Sequence, residues 1–222
     1  MPKPGPRGIL SDDVIVDAAL LLLDTRGPEA MSMRGIATQL GVAPNALYTY
    51  FPDKAAVLRA VVDRLIGTHA DLSALADSSG LPRARIRTLA LGLRAGLIRH
   101  PGAASVLLGA PMDGPQAMLL GEHLLSALAD AGVEGPSGAR ASYLIIVYLL
   151  GSVALEALEL DPTRPAPPEE DRIAARRQAF DRVPAELFPR TAAEAATMAT
   201  YIGTEQFTWG LDRLLDGLGV PA

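Results

Sequence analysis

Residues 32–51 read SMRGIATQLGVAPNALYTYF. The apolar positions are Ile36, Leu40, Val42, Leu47 and Phe51. Leu47 and Phe51 stand one helical turn apart, so both face inward. Ser32 is placed to cap a helix carrying Ile36, Ala37 and Leu40. Gly41 ends that helix as a left-handed C-terminal glycine does, and Pro44 sits where the first turn of the next helix tolerates a missing N–H. The spacing predicts helix, tight turn, helix, the second running to about Tyr50. At about 100° per residue, Asn45, Ala46, Tyr48 and Thr49 of that second helix turn outward. An ordinary solvated face carries Lys and Glu; this one is small, uncharged and rich in hydrogen-bonding groups. A helix-turn-helix whose second helix enters the major groove needs such a face. A helical hairpin with a neutral surface satisfies the same pattern.

The side chains suit base and phosphate contacts. Asn pairs with adenine, Thr meets a base edge or a thymine methyl, and Arg addresses guanine through two bonds. Arg34 stands near the start of the first of the two helices. Tyr48 and Tyr50 are candidate phosphate donors, and Lys54 opens the helix that follows. Upstream, Lys3 and Arg7 lie among prolines and glycines in a basic arm of residues 1–10, of the kind that follows phosphates or enters the minor groove.

Working outward, the remaining chain also reads helical, with Ala and Leu abundant and no sustained strand alternation. Ser11 caps a first helix with Asp12 and Asp13 in its opening turn, stopping at Gly27-Pro28. Pro52-Asp53 breaks the chain again, and a longer helix runs to about residue 70. Further helices are expected at 82–99, 102–109, 115–131, 137–159 and 192–217, with a proline-rich charged loop at 161–172 between the last two. The expected class is all-α.

The 222 residues are 49 % hydrophobic and 20 % charged, enough to bury a core. Net charge is −5, with 7 basic and 7 acidic residues in 1–69 and 13 basic and 18 acidic in 70–222. Any DNA contact must therefore come from where charges sit, not from their sum. The absence of cysteine removes disulfides and thiolate sites and fits a cytoplasmic location. The first ten residues lack the apolar region of a secretory signal. The longest apolar run, residues 141–155, falls short of the ~20 residues of a membrane span, so no membrane partner is expected. His69, His100 and His123 are widely spaced, and neither a metal site nor a cofactor is expected.

The stretch MSMRGIATQLGVAPNALYTYFPDKAAVLRAV resembles the DNA-binding domain of the tetracycline-repressor (TetR) family, over about the first 65 residues. The resemblance implies an N-terminal three-helix helix-turn-helix domain at 11–52, linked by the helix from 53 to about 70 to a ligand-binding and dimerisation domain at 71–222. It implies DNA contacts at Arg34, Pro44, Asn45, Ala46, Tyr48, Thr49, Tyr50 and Lys54. The stretches YLIIVYLLGSVALEAL and FTWGLDRLLDGL are similar to the helix pair that forms the dimer-making four-helix bundle in that family. The partners so implied are double-stranded operator DNA, a small-molecule effector and a second copy of the chain. The family's tetracycline-binding members hold a magnesium–drug complex with a histidine; the matching position here is Leu107, so tetracycline is not the expected ligand.

The 137–159 helix is apolar nearly all round, which fits an internal core or a subunit contact equally, with the 192–217 helix as its companion. Candidate residues for a ligand cavity are Leu107, Met112, His123, Tyr143, Val147, Tyr148 and Trp209, although each fits core packing as well. Glu156 ends the apolar run, either with a polar partner or reaching solvent. Gly92 and Gly96 signal a close helix crossing, and RARIR at 83–87 reads as a solvated face. A helical enzyme is the rival reading, but the chain carries no phosphate-binding loop, dinucleotide fingerprint, zinc-protease motif or nucleophile elbow. A helical interaction module without DNA binding also remains open.

Overall fold

The computed structural model describes residues 10–107 and 109–221, and no strand occurs among them. Four helices carry the first part: α1 (Asp12–Arg26), α2 (Met33–Leu40), α3 (Pro44–Leu47) and α4 (Lys54–His69). Their boundaries follow from local chemistry. Ser11 Oγ accepts from the Val14 N–H at 3.3 Å and Ser32 Oγ from the Gly35 N–H at 3.0 Å. Gly41 has φ +67° and its N–H donates to the Thr38 carbonyl, so the turn takes a left-handed conformation that a side chain would resist. Asp53 Oδ1 accepts from the Ala56 N–H at 2.8 Å and opens α4. Ile15, Leu22, Leu23, Met31, Ile36, Leu47 and Val57 are fully buried together. The second helix of the motif stops at Leu47, three residues before the expected end.

The rest comprises α5 (Leu72–Ala76), α6 (Pro82–Ile98), α7 (Pro101–Leu107), α8 (Pro115–Asp130), α9 (Gly135–Ala157), α10 (Glu169–Phe180), α11 (Pro189–Ala193), α12 (Ala195–Ala199) and α13 (Thr204–Gly217). Helix α6 is the hub and touches α4, α5, α7, α8, α9 and α13. The single helix expected at 192–217 is broken instead. Gly203 is extended (φ −98°, ψ 165°), and α13 is capped from elsewhere: Glu169 accepts from the Thr204 N–H at 2.9 Å and from its hydroxyl at 2.7 Å.

One expectation about charge is corrected. Arg83, Arg85 and Arg87 do not form a solvated face. Arg85 is buried and donates to the Leu75 carbonyl and to Asp130, while Arg83 and Arg87 pair with Asp212 on α13. In the single chain α9 is two-faced. Ala141, Ile145, Leu149 and Val153 face the core, whereas Tyr143, Leu144, Val147 and Leu155 are exposed in the single chain. By length and composition alone, the 23 residues of α9 could cross a membrane; its inner stripe packs on α6, α7 and α8.

Glu156 has polar partners. Arg94 grips both its oxygens at 3.0 Å, and Arg172 adds a bond at 2.7 Å. Burial pushes the Glu156 carboxyl above its usual range, and the two guanidiniums pull the other way. The pairing ties α6, α9 and α10 together. Helix α10, which buries no residue of its own, is held to α9 partly by Arg172–Glu156 and to the turn just after α9 by Arg176–Glu159.

Candidate nucleic-acid interface and interior cavity

The helix-turn-helix surface follows from the anchoring of α3. Leu47 (0 % exposed) and Phe51 (7 %) fix its inner side. Pro44, Asn45, Tyr48 and Thr49 are exposed on the rest, with Ala46 half-buried. Arg34 and Lys54 are exposed at the starts of α2 and α4 and bring the only formal charges among the eight implied contact residues. Tyr50 differs from the others because its hydroxyl donates to the Leu10 carbonyl at 2.8 Å and braces the entry to α1. Thr38 was not singled out from the sequence. It is exposed one turn after Arg34 on the same side of α2, and its hydroxyl bonds the Arg34 carbonyl. Lys3 and Arg7 lie outside the described residues.

Helix α4 connects this surface to the remainder. Its Arg64 pairs with Asp13 and Asp17 of α1. On its other side Arg59 pairs with Asp113, and Asp63 Oδ1 accepts the N–H groups of Gln116 and Ala117 at 2.7 and 3.1 Å. A carboxylate there satisfies unpaired donors at the start of α8 and meets the positive end of its dipole.

The end of α4 enters a seam with α1, α6 and α7. The His69 ring lies where a Cβ on Gly96 would overlap it, so the Gly92–Gly96 pair marks the α4–α6 crossing. Gly102 likewise leaves room for the Leu23 carbonyl at the end of α1. His69 Nδ1 faces Arg99 at 3.3 Å, His100 Nδ1 bonds Asp24 at 2.7 Å, and the two rings are 5.5 Å apart. His69 Nε2 and Asp24 Oδ1 are buried without a protein partner. Burial, followed by His100 and Arg99, holds the His69 imidazole below its usual pKa.

Beside α4 lies an interior cavity of about 20 Å³, room for roughly one water. Its walls come from α4 (Val62, Ile66), α6 (Leu93), α7 (Leu107), the turn before α8 (Met112) and α9 (Leu149), with further Leu and Ile from the same helices and α8. Of the seven candidate ligand residues, Leu107 and Met112 line this cavity, Tyr148 lines a separate cleft of about 220 Å³ with Arg94 and Glu156, and Trp209 one of about 440 Å³ with Tyr201. Tyr148 points toward α13, donating to the Phe207 carbonyl at 2.8 Å. His123 is half-buried on α8 and does not reach the cavity wall. Tyr143 (69 % exposed), Val147 and Trp209 (60 %) lie on outward faces of α9 and α13, with Leu155 of α9 and Tyr201 just before α13 also exposed. No group of three or more His, Asp or Glu side chains among the described residues is arranged to hold a metal ion.

The model for the tetracyclin repressor-like C-terminal domain matches residues 77–221, and that for bacterial regulatory proteins of the tetR family matches residues 15–61. The chain is 28 % identical to the HTH-type transcriptional repressor DrrR1 of Streptomyces coeruleorubidus, over 99 % of this chain and 81 % of that one. It is similar to the solved structure of a possible TetR family transcriptional regulator from Streptomyces coelicolor A3(2), with a TM-score of 0.79 and 32 % identity over 94 % of this chain and 98 % of that one. It is also similar to BioQ of Mycobacterium smegmatis, solved with its double-stranded DNA operator, with a TM-score of 0.64 and 25 % identity over 96 % and 99 % of the two chains.

Proposed function

The chain belongs to the tetracycline-repressor family, and from this premise we infer that it works as a homodimeric repressor, released from a palindromic operator when a small molecule enters the half formed by residues 71–222. The observation that carries the reading is the two-sided burial of α3, with Leu47 and Phe51 inside and Asn45, Tyr48 and Thr49 outside. Pro44, Asn45, Ala46, Tyr48 and Thr49 would meet base edges and sugar–phosphate, with Arg34 and Lys54 supplying charge. Tyr50, whose hydroxyl proton is engaged by Leu10, would accept or brace rather than donate.

A second copy would cover the exposed apolar faces of α9 and α13. A monomer seldom leaves so much aromatic and aliphatic surface in water, and a two-fold dimer matches a palindromic site. The effector would enter the cavity beside Val62 and Ile66 and tilt α4, changing the separation of the two recognition helices. By linkage, a ligand that weakens DNA binding binds the DNA-bound form less tightly by the same factor. Leu107 on the cavity wall argues against a magnesium–tetracycline complex.

A gel-shift titration with DNA from upstream of the protein's own gene tests this. Tyr48→Ala and Lys54→Ala should each weaken binding by about tenfold or more, and Lys54→Ala should lower the salt slope by about one. Full-strength binding by both folded variants would refute the assigned surface.

A further inference from the structure

We propose that the effector of this chain is an uncharged, largely hydrocarbon molecule, held by shape and apolar contact with no directed polar anchor. The proposal rests on the reading of the interior cavity as the effector site.

Every described side chain that lines the cavity is a Val, Leu, Ile or Met, and the wall they form presents no polar surface. The main chain offers nothing more, because most of the wall is helix interior whose N–H and C=O groups are spent on each other. Ligand sites ordinarily set a few convergent polar groups into an apolar wall; here they are missing. The polar groups that α4 carries beside the lining residues Val62 and Ile66 are committed elsewhere. Asp63 of α4 is occupied by the start of α8, and His69 faces Arg99 and His100 in the seam. The buried polar side-chain atoms without a protein partner among the described residues belong to Asp24, His69, Arg172 and Arg176, and none of these residues lines the cavity.

A carboxylate, phosphate or ammonium entering this space would lose its hydration and gain no partner. An uncharged hydrocarbon surface loses only unfavourable contact with water. The unoccupied space is about the size of a water molecule, so the occupant must displace side chains. Met112, half-buried and outside any helix, is suited to yield because its thioether chain is unbranched and has several rotamers. Beyond Met112, Asp113 pairs with Arg59 at the surface, where a polar end on such a ligand would find partners.

The test compares two fluorophores on the full chain: phenylnaphthylamine, which is uncharged, and anilinonaphthalene sulfonate, which places a sulfonate on the same ring skeleton. Phenylnaphthylamine should brighten saturably at one per chain and bind at least about tenfold more tightly than the sulfonate. Ile146→Trp, which fills the cavity from the partly buried side of α9, should abolish most of that gain. Should this variant fail to fold, Met112→Gln at the rim should weaken phenylnaphthylamine by about fivefold. Equal binding of both probes at a site these substitutions remove would overturn the proposal, as would binding of neither probe or binding that both folded variants leave intact. Displacement of phenylnaphthylamine from the cavity with no change in operator affinity would support the ligand class while refuting the effector role.

Discussion

His69 shows how one residue can link the two halves. Its ring lies on Gly96 with Nδ1 turned to Arg99, so protonation would set a new cation against a guanidinium and beside His100. The groups that face it are Arg99 at the end of α6 and His100 before α7, with Asp24 of α1 behind His100. Because its folded pKa is depressed, the unfolded chain takes up the proton first as pH falls. Stability is therefore unaffected above the usual imidazole range and drops as pH falls through that range toward the folded value. Urea midpoints measured between about pH 7.5 and 5.5 should fall more steeply for the wild type than for His69→Gln. Parallel slopes would show that the seam does not sense protons through this ring. None of this could be read from the sequence, where His69 and His100 are thirty-one residues apart and share no motif.

Among the elements, the helix-turn-helix was legible because its determinants are local. Ser32, Gly41, Pro44 and the Leu47/Phe51 pair each act within a turn of their own position. The start of α13 was not legible, because its cap is Glu169, thirty-five residues away. The RARIR cluster misled for the same reason: its acids, Asp130 and Asp212, arrive from distant helices. A second cap is also remote, since Asp63 of α4 closes the start of α8. Asp63→Ala should cost about 0.5–2 kcal/mol of stability. Hydrogen exchange of the Gln116 and Ala117 amides should speed up more than that of the α9 core. Unchanged protection at those two amides would show that water replaces the carboxylate without loss.

At the scale of the whole molecule, the candidate ligand residues Tyr143, Val147 and Trp209 stand on exposed faces away from the interior cavity. An exposed apolar face reads in sequence like one that faces the core, so periodicity cannot separate them. The proposed dimer gives that face its partner. Tyr143→Glu combined with Trp209→Glu should leave a folded chain that elutes as a monomer in light-scattering chromatography and loses at least about tenfold in operator affinity. A dimer of unchanged mass would send the search for the subunit contact to another surface.

The contacts of α4 also determine how such a chain can be recombined with a relative. Arg59, Asp63 and His69 all reach across to the larger half, so a graft that cuts inside α4 separates groups that belong together. A cut just before Lys54 transplants the reading head and leaves those three in place. The incoming head must still offer acids where Asp13 and Asp17 meet Arg64, a close backbone carbonyl where Leu23 meets Gly102, and an acid where Asp24 meets His100. Donor heads that supply all of these should seat on the host. Heads that lack them would leave the host histidine without its acid and a gap above the glycine, and the hybrid would recognise its operator without obeying the host's ligand.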